Sequence, residues 1–228
     1  MVVSNKATQV TYIDTWLQLL RQHRAIAIIR HADFDLAYEM AHTVAAAGMN
    51  LVEITWSCDR AAELIYRLRT ELPQCIIGTG TILSTSQLQA AVDAGAQFAF
   101  SPCCDVKLLS MALNRYHIPF VPGVFTPTEV VHAWQQGARV VKVFPIKSLG
   151  GAEYIKCLQG PLGHIPLIPT GGTTLDNALP MLEAGAIAVG ISSDLFPAAA
   201  IANRQWGLIS DRTKTLLAKL QQTNSGAE

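Results

Sequence analysis

Short apolar runs alternate with longer amphipathic runs along most of the chain. The apolar runs are hydrophobic over most of their length, as parallel strands buried on both faces are expected to be. The pattern predicts eight strands, over residues 25–30, 51–55, 75–79, 98–101, 118–122, 140–144, 166–169 and 187–191. It predicts intervening helices over 33–47, 59–71, 84–94, 105–115 and 127–136, and flanking helices over 12–23 and 211–222.

Four helical stretches end in a glycine that is closely followed by a strand, at Gly48, Gly95, Gly137 and Gly185. Glycine adopts the positive φ of a helix C-cap without strain. Strand–helix units recur about every 20–25 residues, which is typical of the α/β class, and eight units predict a closed (β/α)8 (TIM) barrel. An open doubly wound sheet is the alternative, and the absence of GxGxxG after the first strand disfavours it.

No linker or composition break divides the chain, so a single domain is expected over residues 1–228. It has an extra helical segment before the first strand (1–24) and a helix and tail at the end (203–228). Half of the residues are hydrophobic, 15% are charged and the net charge is zero. This composition excludes a disordered chain and gives no sign of a nucleic-acid or membrane partner.

The five cysteines are an odd number without zinc-ligand spacing, which favours reduced thiols. No signal peptide and no apolar run of about 18 residues are present. A cytoplasmic protein is therefore expected. The histidines are scattered, and GxSxG and P-loop motifs are absent, so neither a metal nor a cofactor is predicted.

Two charged residues interrupt apolar strands: Lys142 lies in VVKVF and Glu53 lies in LVEIT. Burial would lower the pKa of Lys142, and a neutral amine is the form that attacks a ketone to give a Schiff base. Burial would raise the pKa of Glu53 and make it a proton shuttle. A snorkelling lysine or a structural ion pair between the two residues is the alternative.

Polar groups also follow several predicted strands, where barrel enzymes place their chemistry. Arg30 ends the first strand and is either a carboxylate ligand or a solvated residue. The segments 169–174 and 190–193 follow the last two strands and are candidate anion sites. The segment 78–81 is either a site for a small acid or a tight turn.

The segments LVEIT, IGTGTI, AGAQFAFSP, PGVFTPTE, VKVFP and PTGG occur in this order between about residues 24 and 195. In this respect the chain resembles the 2-keto-3-deoxy-6-phosphogluconate (KDPG) and 4-hydroxy-2-oxoglutarate (KHG) aldolases. The resemblance implies a homotrimeric class I aldolase without metal. Such an enzyme cleaves KDPG to pyruvate and glyceraldehyde 3-phosphate, or KHG to pyruvate and glyoxylate. The substrate would be a 2-keto acid, phosphorylated in the case of KDPG.

The resemblance also implies residue roles. Lys142 in VKVFP is similar to the Schiff-base lysine, and Glu53 in VEIT to its acid/base. Thr81 resembles the ligand of the pyruvate carboxylate, and Thr170 a residue along the substrate chain. The phosphate ligands of the family correspond to Gly171, Gly172 and Ser192.

Ser57 departs from the pattern, because many members carry an arginine there that binds the substrate carboxylate. Arg30 matches an arginine of other members and is expected to replace it. Two other functions remain open: a phosphosugar isomerase or epimerase on the same barrel that uses Glu53 without a covalent lysine, and a barrel that only binds a phosphorylated metabolite.

Overall fold

The computed structural model describes residues 5–221, with side chains from residue 14 onward, and shows a parallel α/β fold. The strands are β1 Ala25–Ile29, β2 Leu51–Thr55, β3 Ile76–Gly80, β4 Ala99–Phe100, β5 Phe120–Val121, β6 Gly123–Val124, β7 Val141–Val143, β8 Leu167–Pro169 and β9 Val189–Ile191. The α-helices are α1 Asn5–His23, α2 Phe34–Ala46, α3 Ala61–Glu71, α4 Thr85–Asp93, α5 Val106–Ser110, α6 Pro127–Gln135, α7 Ala152–Leu162, α8 Ala178–Glu183, α9 Ala198–Ala202 and α10 Trp206–Gln221. A π-helical stretch, Met111–Tyr116, extends α5, and a 3-10 helix, Ile146–Leu149, follows β7. Among the described residues, no helix is both long and apolar enough to cross a membrane.

The strands form two parallel sheets, of six strands in the order β5-β4-β3-β2-β1-β9 and of three in the order β6-β7-β8. Only Pro122 separates β5 from β6, and its carbonyl accepts a hydrogen bond from the Lys142 amide at 2.9 Å. The predicted strand 118–122 overlaps only β5, and β6 lies beyond its predicted end, on the other side of a proline that has no N–H to donate. On the other side, Thr170 and Gly190 form a parallel bridge between β8 and β9.

The helix ends confirm the prediction drawn from the four glycines. Gly48, Gly95, Gly137 and Gly185 have φ of 99°, 91°, 99° and 109°. The sequence pattern did not predict the bounds of α7, α8 and α9. Gly160 and Pro161 interrupt the helical pattern of α7, and α8 and α9 are short. Helix α1 begins at Asn5 rather than at residue 12, and Gln222 with the predicted tail lies outside the described residues.

Alternate side chains of the strands pack on opposite faces of the curled sheet. The outer face packs against α2 to α10 in a large apolar cluster. The inner face forms a smaller cluster that α1 covers, and it contains Trp16, Leu20, Ile26, Ile28, Leu51, Phe98, Phe100, Val121, Val140, Ile168 and Ala188. Helix α1 therefore closes the amino-terminal end of the inner face and leaves the opposite end for other side chains.

Candidate active site

Glu53 and Lys142 lie on the inner face of the sheet, closer to the carboxyl ends of the strands than the apolar cluster that α1 covers. Glu53 lies two residues after Leu51, and Lys142 lies two residues after Val140, so each shares a face with an inner-cluster residue. Glu53 is 0% exposed and Lys142 is 3% exposed. The inner face is thus apolar where α1 covers it and holds one buried acid and one buried amine further along.

The Glu53 carboxyl group is buried without a hydrogen-bond partner among the described residues. Neither of its carboxyl oxygens has a hydrogen-bond partner in the described part of the chain, so the structural ion pair considered from the sequence is not formed as a hydrogen-bonded contact. Burial raises the pKa of Glu53, although the positive charges of Lys142 and Arg30 oppose this shift. The carboxyl group rests against β3, where a Cβ on Gly80 would lie 1.7 Å from its Oε1. Glycine at position 80 therefore makes the space that the acid occupies.

The Lys142 amine lies near two aromatic rings. Its Nζ lies 4.9 Å from the centroid of the Phe144 ring and 5.8 Å from that of Phe100. Burial lowers the pKa of Lys142, the charge of Glu53 opposes the shift, and the positive charge of Arg30 adds to it. Since a lowered pKa leaves more of the amine neutral near pH 7, this environment suits a nucleophilic lysine.

Arg30 reaches from the end of β1 across the ends of β2 and β3. Its guanidinium donates a hydrogen bond to the Thr81 hydroxyl at 3.1 Å and approaches the Ser57 hydroxyl at 3.4 Å. Thr81 has φ of 62°, a conformation that is uncommon outside glycine and turns the chain sharply after β3. Of the two alternatives left by the sequence, the structure favours a positioned arginine over a freely solvated one.

The carboxyl ends of β8 and β9 contribute a third set of groups. Thr170 is 5% exposed, and its hydroxyl has no hydrogen-bond partner among the described residues. A Cβ on Gly190 would lie 2.6 Å from that hydroxyl, so glycine lets β9 approach it closely. The Ser192 hydroxyl donates to the Ile28 carbonyl at 2.8 Å and ties the end of β9 to β1. Ser192 therefore offers an incoming anion its amide rather than a free hydroxyl proton.

A cavity of about 360 Å³ lies beyond these two strands, and its lining includes Lys147, Gly172, Thr173, Ser193 and Asp194. The Thr173 hydroxyl is buried and has no partner in the described part of the chain. The carboxylate of Asp194 is paired with Arg212 at 3.0 Å, which offsets its charge. Lys147 is exposed at the rim. An anion placed here would meet a lysine and glycine backbone.

The structure brings all predicted site residues to the carboxyl ends of neighbouring strands. Arg30, Glu53, Thr81, Lys142, Thr170, Gly171, Gly172 and Ser192 lie in or directly after β1, β2, β3, β7, β8 and β9. Sequence reasoning missed Phe100, Phe144 and Lys147, and it named Gly80 and Thr173 only as parts of the candidate segments 78–81 and 169–174. Phe100 and Gly80 could have been found from the two-residue alternation, which puts both on the inner face. Within the described residues, no group of three or more His, Cys, Asp and Glu side chains could hold a metal ion.

Comparison with known proteins identifies the family to which the sequence is similar. The family model described as KDPG and KHG aldolase matches residues 17–211. The 2-dehydro-3-deoxy-phosphogluconate aldolase of Pseudomonas aeruginosa is 31% identical over 218 residues, covering 96% of this chain and 97% of that protein. The KHG/KDPG aldolase of Escherichia coli K12 is 33% identical over 152 residues, covering 67% of this chain and 71% of that protein.

A solved structure gives the same result at the level of the fold. The KDPG aldolase of Legionella pneumophila, with pyruvate captured at low pH as a covalent carbinolamine intermediate, has a TM-score of 0.81 and 28% identity. The match covers 88% of this chain and 97% of the Legionella chain. Since the family model spans most of the chain and the Pseudomonas relative matches over nearly its whole length, this chain belongs to the KDPG and KHG aldolase family.

Proposed function

We propose that this chain is a class I aldolase that cleaves KDPG to pyruvate and glyceraldehyde 3-phosphate, KHG to pyruvate and glyoxylate, or both. The observation that carries this proposal is the buried Lys142 on the inner face, with its amine among aromatic rings and its pKa lowered by burial. Glu53, buried on the same face without a hydrogen-bond partner, supplies the acid/base. Family membership supports this reaction class.

In the proposed cleavage, the neutral Lys142 amine adds to the C2 ketone of a 2-keto-4-hydroxy acid. Loss of water from this carbinolamine gives an iminium, which acts as an electron sink. Glu53, directly or through water, removes the proton of the C4 hydroxyl. The electrons of the C3–C4 bond then move into the iminium, the aldehyde leaves and an enamine remains. Glu53 or its water returns the proton to C3, and water releases pyruvate and regenerates the amine.

Substrate binding is divided between two sides of the site. Arg30 and Thr81 bind the pyruvate carboxylate, and the guanidinium of Arg30 stands in for the arginine absent at Ser57, which it approaches at 3.4 Å. Thr170 lies along the substrate chain between the two sides. Gly171, Gly172 and Ser192 bind the phosphate through their amides, and the adjoining cavity with Lys147 supports a phosphorylated substrate.

The hydrogen bonds around the strands support a single-domain closed (β/α)8 barrel. The strand pair β5–β6 bonds to β4 on one side and to β7 on the other, through the amides of Ser101 and Lys142. Between β8 and β9, the Ile187 amide donates to the Leu167 carbonyl at 3.1 Å. These contacts link the two sheets at both sides, which supports the proposal of one ring of eight strand positions. The proposed homotrimer and cytoplasmic location rest on the resemblance and on composition.

The two alternatives from the sequence are less well supported. An isomerase that uses Glu53 alone gives no reason for a buried lysine with a lowered pKa beside it. A barrel that only binds a metabolite gives no reason for two buried ionisable groups without mutual hydrogen bonds. Family membership points in the same direction, toward the aldolase.

Reductive trapping tests the proposal directly. Incubation with pyruvate and borohydride, followed by peptide mass mapping, is expected to show one reduced pyruvyl adduct on Lys142. Lys142→Ala is expected to form no adduct and to lose aldol cleavage. An adduct on another lysine, such as Lys147, or normal cleavage by Lys142→Ala would overturn the assignment.

A further inference from the structure

An unbroken column of aromatic rings runs along the inner face from α1 to the amine of Lys142. Trp16 of α1 stacks on Phe98, with ring centroids 4.8 Å apart and an interplanar angle of 26°. Phe98 meets Phe100 edge to face, at 5.7 Å and 77°. Phe100 is followed by the Lys142 Nζ, 5.8 Å from its centroid. Three residues therefore connect the covered end of the sheet to the reacting nitrogen.

Every member of this column is held by packing alone. Trp16 is 3% exposed, Phe98 is 0% and Phe100 is 1%. The indole Nε1 of Trp16 has no hydrogen-bond partner among the described residues, so stacking rather than a polar contact fixes the ring. A Cβ on Gly78 would lie 2.4 Å from the Phe98 ring, so glycine at 78 leaves the space in which that ring lies. The Phe100 ring thus packs against Phe98, and the Phe98 ring packs against Trp16.

The change of charge on the Lys142 nitrogen during imine formation gives the neighbouring ring a role in the reaction. The nitrogen of Lys142 is neutral when it attacks, and it becomes positively charged when water leaves to form the iminium. An aromatic ring within about 6 Å of a cation attracts it through the ring quadrupole, most strongly in a dry site. A ring also offers no acceptor to the amine and no proton to the intermediate. Phe100 can therefore stabilise the iminium relative to the neutral amine.

We propose that Phe100 stabilises the iminium on Lys142 and that Trp16, acting through Phe98, is a positioning residue that holds the Phe100 ring against that nitrogen. The N-terminal helix is then part of the machinery for Schiff-base formation as well as a cover for the inner face. This inference rests on the proposed function, because it assumes that Lys142 forms the imine.

The test measures the pyruvate concentration at which borohydride traps half of the enzyme. The trapped fraction is determined by mass spectrometry of the adduct on Lys142. Phe100→Leu is expected to raise this concentration about five- to tenfold, the loss of one desolvated cation–π contact. Trp16→Leu is expected to raise it about threefold, and Phe98→Leu, which breaks the column at its middle, by a similar factor. Trp16→Phe keeps a ring for stacking and is expected to stay within about twofold of the parent protein.

A double-mutant cycle and a matched control separate positioning from general loosening. If Trp16 acts through Phe100, adding Trp16→Leu to Phe100→Leu changes the half-trapping concentration no further. Leu20→Ala removes a buried inner-cluster side chain from the same helix but outside the column, and it is expected to lower the melting temperature without changing trapping. Equal weakening by Leu20→Ala, additive effects in the cycle, or unchanged trapping in folded Trp16→Leu and Phe98→Leu would each overturn the inference. Absence of any adduct on Lys142 in the parent protein would instead overturn the proposed function.

Discussion

The absence of a side chain at Gly80 leaves room for the buried carboxyl group of Glu53. A Cβ there would lie 1.7 Å from Oε1 of Glu53, so Gly80→Ala must displace the carboxyl group. We expect aldol cleavage to fall about 10²-fold or more, the scale of a lost general acid–base group. Steady-state cleavage kinetics measure this. Gly160→Ala, where a Cβ meets nothing within 4 Å, is the control, and an equal loss in both variants would argue against the assignment.

The lowered pKa of Lys142 gives imine formation a defined pH dependence. The neutral amine attacks, so the trapping rate rises with pH through the pKa of Lys142 and levels off below 10.5, its ordinary value. The charge of Arg30 contributes to that lowering, because a nearby cation disfavours the ammonium form. Arg30→Gln is therefore expected to move the rising limb to higher pH. Trapping with pyruvate and cyanoborohydride over a pH series measures it, and a shift toward lower pH would contradict the electrostatic account.

Arg30 and Ser57 allow a test of the proposal that Arg30 takes the role of the arginine absent at position 57. Because the guanidinium approaches Ser57 at 3.4 Å, an arginine at 57 would point into the same space. We expect Arg30→Ala to raise the pyruvate KM for aldol addition about tenfold or more, the loss of a charge-assisted contact. Adding Ser57→Arg is expected to recover part of that loss. Arg30→Lys keeps the charge without the planar fork and should fall between; no recovery in the double variant would count against the replacement.

At the scale of elements, the 3-10 helix Ile146–Leu149 brings Lys147 to the cavity behind β8. We expect Lys147→Ala to raise the KM for glyceraldehyde 3-phosphate about tenfold, equivalent to ~1.4 kcal/mol, and to leave the KM for glyoxylate unchanged. Aldol-addition assays with pyruvate and each aldehyde measure the difference. Lys156→Ala, an exposed lysine on α7, is the control. Equal losses for both aldehydes would show that Lys147 does not read the phosphate.

The strands and the helix ends were predictable because both depend on short-range patterns. Apolar runs placed β1, β2 and β7 within one or two residues, and the glycines after α2, α4 and α6 predicted positive φ. Lys142 and Glu53 were visible because a charge inside an apolar strand is costly. The contact of Glu53 with Gly80 was not visible, since it depends on how β2 and β3 pair. The Phe100 ring comes from β4, which only tertiary packing brings to Lys142, whereas Phe144 follows Lys142 by two residues at the end of β7.

At the scale of the whole molecule, the side chains on the inner face of the sheet form two layers with different functions. Near α1 the face is filled by aromatic and aliphatic side chains, and beyond them the same alternation supplies Glu53, Lys142 and the glycines that leave space. The apolar layer keeps water from the base of the site, which is the cause of both opposed pKa shifts. Successive inward-facing positions of the same strands therefore provide first the apolar core and then the catalytic groups. The alternation in the sequence could indicate this order along each strand but not how deeply the side chains are buried.

Amide hydrogen exchange tests whether these strands form one closed ring. The Lys142 amide bonds to the Pro122 carbonyl at the β6–β7 side, and the Ile187 amide bonds to the Leu167 carbonyl at the β8–β9 side. In a closed barrel both amides are internal to the sheet. We therefore expect them to exchange as slowly as the Ile76 amide, which bonds to the Asn50 carbonyl at 2.7 Å within the six-stranded sheet. An open sheet would leave one of these places as a free edge, and its amide would then exchange orders of magnitude faster than that of Ile76 while the other stayed slow.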